Sequence, residues 1–137
     1  MAGLTPATPH PVNLVVHQRS RVLEVAFDNG ETYRLPFELL RVYSPSAEVR
    51  GHGQGQEILQ TGKREVDIVA MEPVGNYGVR PRFSDGHETG IYSWDVLYDL
   101  GAHQEARWAD YLARLEAAGA SRDPMTETTL QRPGAVK

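Results

Sequence analysis

The sequence has no cysteine, which excludes a disulfide framework, a thiolate zinc site, a cysteine-held iron–sulfur cluster and a thiol nucleophile. It lacks a strong charge of either sign. The formal net charge is −4 over 137 residues and the isoelectric point is near 5.7, a balance that argues against non-specific binding to nucleic acid or an anionic membrane. Apolar runs extend for only a few residues, far short of the roughly 20 needed to cross a bilayer. The N-terminus has neither the basic stretch nor the apolar core of a secretory signal. A cytoplasmic chain with no nucleic-acid or membrane partner is the expectation.

Catalytic signatures are missing too. The glycine-rich stretch Gly51-His52-Gly53-Gln54-Gly55 fails as a phosphate loop, because six residues separate Gly55 from Gly62 and Arg64 follows Lys63 where a magnesium-binding Ser or Thr is needed. A flexible loop explains those glycines better. No Gly-x-Ser-x-Gly elbow and no His-Glu-x-x-His pair occurs. The five histidines, His10, His17, His52, His87 and His103, are scattered. Asp85, His87 and Glu88 are close in sequence, but an acidic chain places carboxylates near any histidine.

What is present is enough for one domain with its own core. Residues 1–12, with Pro6, Pro9 and Pro11, read as a disordered tail, and so do residues 120–137, with Pro124 and Pro133. The folded unit is then 13–119. Leu14–His17 and Val22–Phe27 have strand patterns. A three-residue loop with Gly30 left-handed pairs Val25 with Tyr33 and Leu23 with Leu35, giving a single apolar face. Pro36 suits the first position of a short helix over Phe37–Val42, and a long loop spans Tyr43–Lys63. Val66–Met71 has the continuous apolar character of a central strand buried on both faces. A second strand, Tyr77–Phe83, turns at Ser84-Asp85-Gly86, placing Val79, Phe83, His87 and Ile91 on one face and setting Arg82 opposite Glu88. Ser93 caps a helix over Trp94–Leu100 that stops at Gly101. Trp108, Tyr111, Leu112 and Leu115 form one stripe on a last helix over Ala102–Ala118, ended by Gly119 and braced by an Asp110–Arg114 pair. The sum is an α+β fold: a small antiparallel sheet of hairpins packed with short helices and a C-terminal amphipathic helix.

Two stretches carry a family resemblance. Phe37–Gly53, with Leu40-Arg41, Ser44-Pro45-Ser46 and Val49, and Phe83–Trp94, with Asp85-Gly86-His87 and Tyr92-Ser93-Trp94, resemble the bacterial family of unknown function 971 (DUF971). That family is similar to the N-terminal domain of gamma-butyrobetaine hydroxylase and trimethyllysine hydroxylase, and the resemblance spans about Leu14 to Leu100. In the hydroxylases it implies zinc held by three cysteines and one histidine. Those positions fall here on Ser44, Ser46, Val49 and His87, so His87 alone survives as a metal ligand, and no cofactor is expected unless zinc or iron binds there. The resemblance also implies that the oxygenase domain is missing, since 137 residues leave no room for it. A contact between His87 and the Ser44–Ser46 turn is the expected replacement for the cross-link.

Two function classes follow. One is a non-catalytic accessory or protein-interaction module, not an enzyme, with an unnamed protein partner or a second copy in a homodimer; His52, Arg82, Tyr92 and Trp94 are its candidate contact residues. For Tyr92, Trp94 and Trp108 the competing reading is ordinary core. The other class is a metal-binding or iron–sulfur-cluster-handling accessory protein.

Overall fold

The computed structural model describes residues 8–51 and 57–124. His52 and the outer parts of both expected tails lie outside the described residues. The first sheet is antiparallel and in sequence order: β1 (Pro11–His17), β2 (Val22–Phe27) and β3 (Thr32–Pro36). Alternation decides its faces, with Leu23, Val25 and Phe27 buried and the residues between them half-exposed. The β2–β3 register is Val25 to Tyr33 and Leu23 to Leu35, with Gly30 at φ +90°, as the one-face argument requires. β1 starts three residues earlier than the pattern suggested, because Asp28 N–H donates to the His10 carbonyl at 2.8 Å and draws the chain into the sheet.

Pro36 ends β3 in an extended conformation, ψ 144°, and precedes α1 (Phe37–Val42) instead of opening it. Every residue of α1 is buried. The long loop after it contains a helical turn, α2 (Ala47–Arg50). A second antiparallel sheet follows, with β5 (Gly78–Phe83) between β4 (Ile68–Val74) and the short β6 (Tyr92–Ser93). The strand expected over Val66–Met71 is thus shifted and is not central. β4 is an edge strand, and Val69 is 56% exposed, because the strands divide into two sheets and β5 takes the middle. Ile91 also departs from expectation. Phe83 N–H donates to the His87 carbonyl at 2.9 Å and closes the turn, but beyond that pair the chain leaves strand geometry and Ile91 is solvent-facing.

α3 (Trp94–Ala102) runs through Gly101. That glycine serves a close approach and does not stop the helix: a Cβ there would lie 2.2 Å from Tyr33 Cγ, whose ring stacks edge-on with Phe27 and Tyr98. Ser93 makes no capping bond to the α3 backbone; its hydroxyl donates to the Asp95 carboxylate. α4 (Gln104–Ala118) ends at a left-handed Gly119. Tyr111 and Leu115 are buried against Val42, while Leu112 is 39% exposed, a narrower stripe than the spacing implied. Asp110 lies 3.4 Å from the Tyr43 hydroxyl instead of bridging to Arg114. Residues 120–124 fold back on the segment before β4, so the packed chain exceeds 13–119 at both ends. The main core gathers Leu23, Val25, Leu35, Phe37, Leu40, Ile68, Phe83, Tyr92 and Leu97 between the two sheets and α3. No helix among the described residues is long and apolar enough to cross a membrane.

Candidate functional site

The end of α1 and the turn after β5 meet at a buried polar cluster. α1 finishes at Val42, and the next residues, Ser44-Pro45-Ser46, lead into α2. Ser44 is 1% exposed, and Ser46 and His87 are also buried. His87 Nε2 is 2.8 Å from Ser44 Oγ and 3.3 Å from Ser46 Oγ, so the expected contact with this turn is present. The bonding fixes the tautomer. The Glu48 carboxylate, whose Oε1 lies 3.2 Å from Nδ1, can only accept, so Nδ1 carries the ring hydrogen. Nε2 is then the acceptor, and the Ser44 hydroxyl donates to it while taking the Ser46 N–H on a lone pair. Burial pushes the His87 pKa down and the Arg41 charge adds to this, against a smaller upward pull from Glu48 and Asp85, so the ring is neutral near pH 7.

Charged groups close the underside. Arg41, buried on α1, donates from Nε to Asp85 Oδ2 at 2.8 Å, and Lys63 Nζ reaches the same oxygen at 2.6 Å. His87 N–H donates to Asp85 Oδ1. Burial alone would raise the Asp85 carboxyl, but Lys63, the His87 amide and Arg41 outweigh it and hold it at about 2. Arg41 Nη1 is buried without a partner. Tyr92 lies beneath, its hydroxyl donating to the Leu40 carbonyl, and burial raises its pKa well above the usual phenol range. Gly90 passes directly over the cluster; a Cβ there would sit 2.3 Å from Ser44 Oγ.

Ser44, His87 and Glu48 stand in the hydrogen-bond order of a nucleophile, base and acid. A reacting serine must also be reachable. Ser44 has almost no exposed surface, and Gly90 and Tyr92 cover it, so no substrate carbonyl reaches Oγ in this conformation. Among the described residues no three His, Cys, Asp or Glu side chains converge as a metal site. His103 pairs with Asp99 at 3.0 Å on the surface.

The candidate contact residues separate. Tyr92 is 0% exposed and is corrected from contact residue to core, since no partner can touch it. Trp94 is half-buried, packs on the core and donates from Nε1 to the Asn76 carbonyl at 2.8 Å. Arg82 is exposed beside Glu88 at 3.4 Å, away from the cluster. Arg41, Lys63 and Glu48 were not singled out from the sequence. Arg41 and Glu48 both lie in the same stretch as Ser44, while Lys63 lies outside it.

A family model for the gamma-butyrobetaine hydroxylase-like N-terminal domain matches residues 14–98. The chain belongs to that family. Both halves of the cluster, Ser44–Ser46 and His87, fall inside the matched span. Two solution NMR structures are similar to this gamma-butyrobetaine hydroxylase-like domain. One is 52% identical with a TM-score of 0.75, covering 98% of each chain. The other is 42% identical with a TM-score of 0.76, covering 96% of this chain and 98% of that one. A crystal structure of a protein with unknown function of the DUF971 family from Acidithiobacillus ferrooxidans is 43% identical, with a TM-score of 0.58 over 68% of this chain and 93% of that one. A search of curated proteins returns no match.

Proposed function

We propose that this chain is a non-catalytic accessory module of the cytoplasm that acts by contact with a protein partner, and that its His87–Ser44–Ser46 hydrogen bonds replace the zinc cross-link implied by the family resemblance. The observation that carries the reading is the donor set at His87. One imidazole and two serine hydroxyls do not fit zinc, which takes thiolate, imidazole or carboxylate ligands, and the third cysteine position is the apolar, buried Val49. The cluster supplies the same mechanical link, α1 and its following turn tied to the turn after β5, without a metal.

The test is thermal unfolding with and without a strong chelator, repeated on the His87→Ala variant. The expected result is a chelator-insensitive Tm in the unsubstituted chain and a lower Tm in the variant. A Tm that falls on chelation and recovers with zinc or iron would overturn the reading in favour of a metal-handling accessory.

A further inference from the structure

A cleft of about 1020 Å³ opens between the end of α1, α2, α3 and α4, a size that suits a small-molecule site. Its floor is apolar. Val42, Val49 and Leu100 are buried there, Val96 is half-buried, and Ile58 keeps 54% of its surface uncovered. The walls are tied down. Ile58 N–H donates to the Val49 carbonyl at 2.8 Å and Gly51 N–H to the Ala47 carbonyl at 2.9 Å. The Tyr43 hydroxyl donates to the Arg107 carbonyl at 2.7 Å, and the Arg107 guanidinium stands 5.9 Å from the Tyr43 ring centre. Walls ordered before a ligand arrives lower the cost of binding it.

Charges of both signs line the cleft, but they are unequally satisfied. Asp99 is taken by Arg107 and by His103, Asp95 accepts from the Ser93 hydroxyl, and Asp110 lies 3.4 Å from the Tyr43 hydroxyl. Arg50 on α2 and Arg114 on α4 differ: among the described residues neither has an ion pair or a side-chain hydrogen bond. Glu57, exposed, is the one lining carboxylate in the same position. Two open guanidiniums from separate elements beside an apolar floor complement an anionic head on an apolar tail, since the guanidinium fork matches carboxylate and phosphate oxygens.

We propose that this cleft binds an amphipathic organic anion, its carboxylate or phosphate head held by Arg50 and Arg114 and its aliphatic tail laid on Ile58, Val96 and Leu100. Accessory contact with a protein partner neither requires nor excludes this ligand.

The test titrates the full chain with octanoate, octyl phosphate, octanol and inorganic phosphate, followed by the Gly51, Ile58 and Val96 amide signals. Octanoate, octyl phosphate or both should saturate these signals with a single class of site, and the tighter of the two identifies the head group. Octanol and inorganic phosphate each carry half of the chemistry and should bind at least about tenfold more weakly, a loss of about one charge-assisted hydrogen bond. Neither arginine is tied to another element, so Arg50→Gln with Arg114→Gln should stay folded and lose at least about tenfold in affinity for the anion. Octanol that binds as tightly as the anions, a folded double variant that binds them undiminished, or anions that leave the signals unmoved would each overturn the proposal. If the double variant does not fold, salt decides in the unsubstituted chain. Anion affinity that falls as sodium chloride rises, while octanol affinity does not, supports the two arginine contacts; anion affinity indifferent to salt overturns them.

Discussion

At His87 two opposing electrostatic demands meet, and burial wins. The folded ring resists a proton that the unfolded chain accepts below about pH 6.5, because desolvation and Arg41 both disfavour the imidazolium. A depressed folded pKa means stability is whole above the unfolded value and declines as pH falls through it. Asp85 acts with the same sign at lower pH: its carboxyl, held at about 2, loses its contribution as pH falls below the ordinary carboxylate range. Thermal melts from pH 7.5 to pH 3 should show two successive declines in Tm, and His87→Gln should remove only the upper one; an unchanged upper decline would exclude His87 as its source. His87→Ala strands two buried hydroxyls and should cost about 1–3 kcal/mol by denaturant unfolding. The His87–serine contact was legible because both partners sit in stretches with a family pattern. The Arg41–Asp85–Lys63 group was not: Arg41 and Asp85 stand in the same two stretches, but no implied ligand position pairs them, and no periodicity marks a charge for a partner 44 or 22 residues away.

Among the elements, Gly101 gives a prediction whose sign separates two mechanisms. Glycine inside a helix usually costs about 0.5–1 kcal/mol relative to alanine, so propensity alone predicts that Gly101→Ala stabilises. Packing predicts the opposite, because the new Cβ would fall within the Tyr33 ring and the aromatic group of Phe27, Tyr33 and Tyr98 would have to shift. Overpacking of this kind costs about 1–3 kcal/mol, so a lower Tm is expected, and a higher one would show that the helix moves away freely. Hairpin registers were legible because turn chemistry and alternation are local. The edge position of β4 was not, since it depends on which sheet each hairpin joins. Gly101 looked like a helix stop because a glycine required by a neighbour's ring is indistinguishable in sequence from one required by a cap.

For the whole molecule, closure depends on a short polar segment that looked like a tail. Residues 120–124 carry few apolar groups, so hydrophobic pattern gave no reason to dock them, and a bidentate pair between Glu38 and Arg122, 84 residues apart, leaves no periodic trace. Removing Arg122 abandons a buried carboxylate, whereas removing both charges does not. Arg122→Ala should cost about 3 kcal/mol, the low end for a buried pair because the arginine is 26% exposed, and Arg122→Ala with Glu38→Gln should cost less than Arg122→Ala alone. A double variant less stable than that single one in denaturant unfolding would contradict this. The central claim, a hydrogen-bonded cluster standing where the family resemblance implies zinc, is tested most directly by metal content. Ser44 Oγ and Ser46 Oγ stand 2.8 and 3.3 Å from His87 Nε2, near the roughly 3.5 Å that separates tetrahedral ligands at usual zinc bond lengths. Elemental analysis after zinc exposure should find none bound to the natural chain and one per molecule in the Ser44→Cys, Ser46→Cys, Val49→Cys variant; stoichiometric zinc on the natural chain, lost with His87→Ala, would contradict the account.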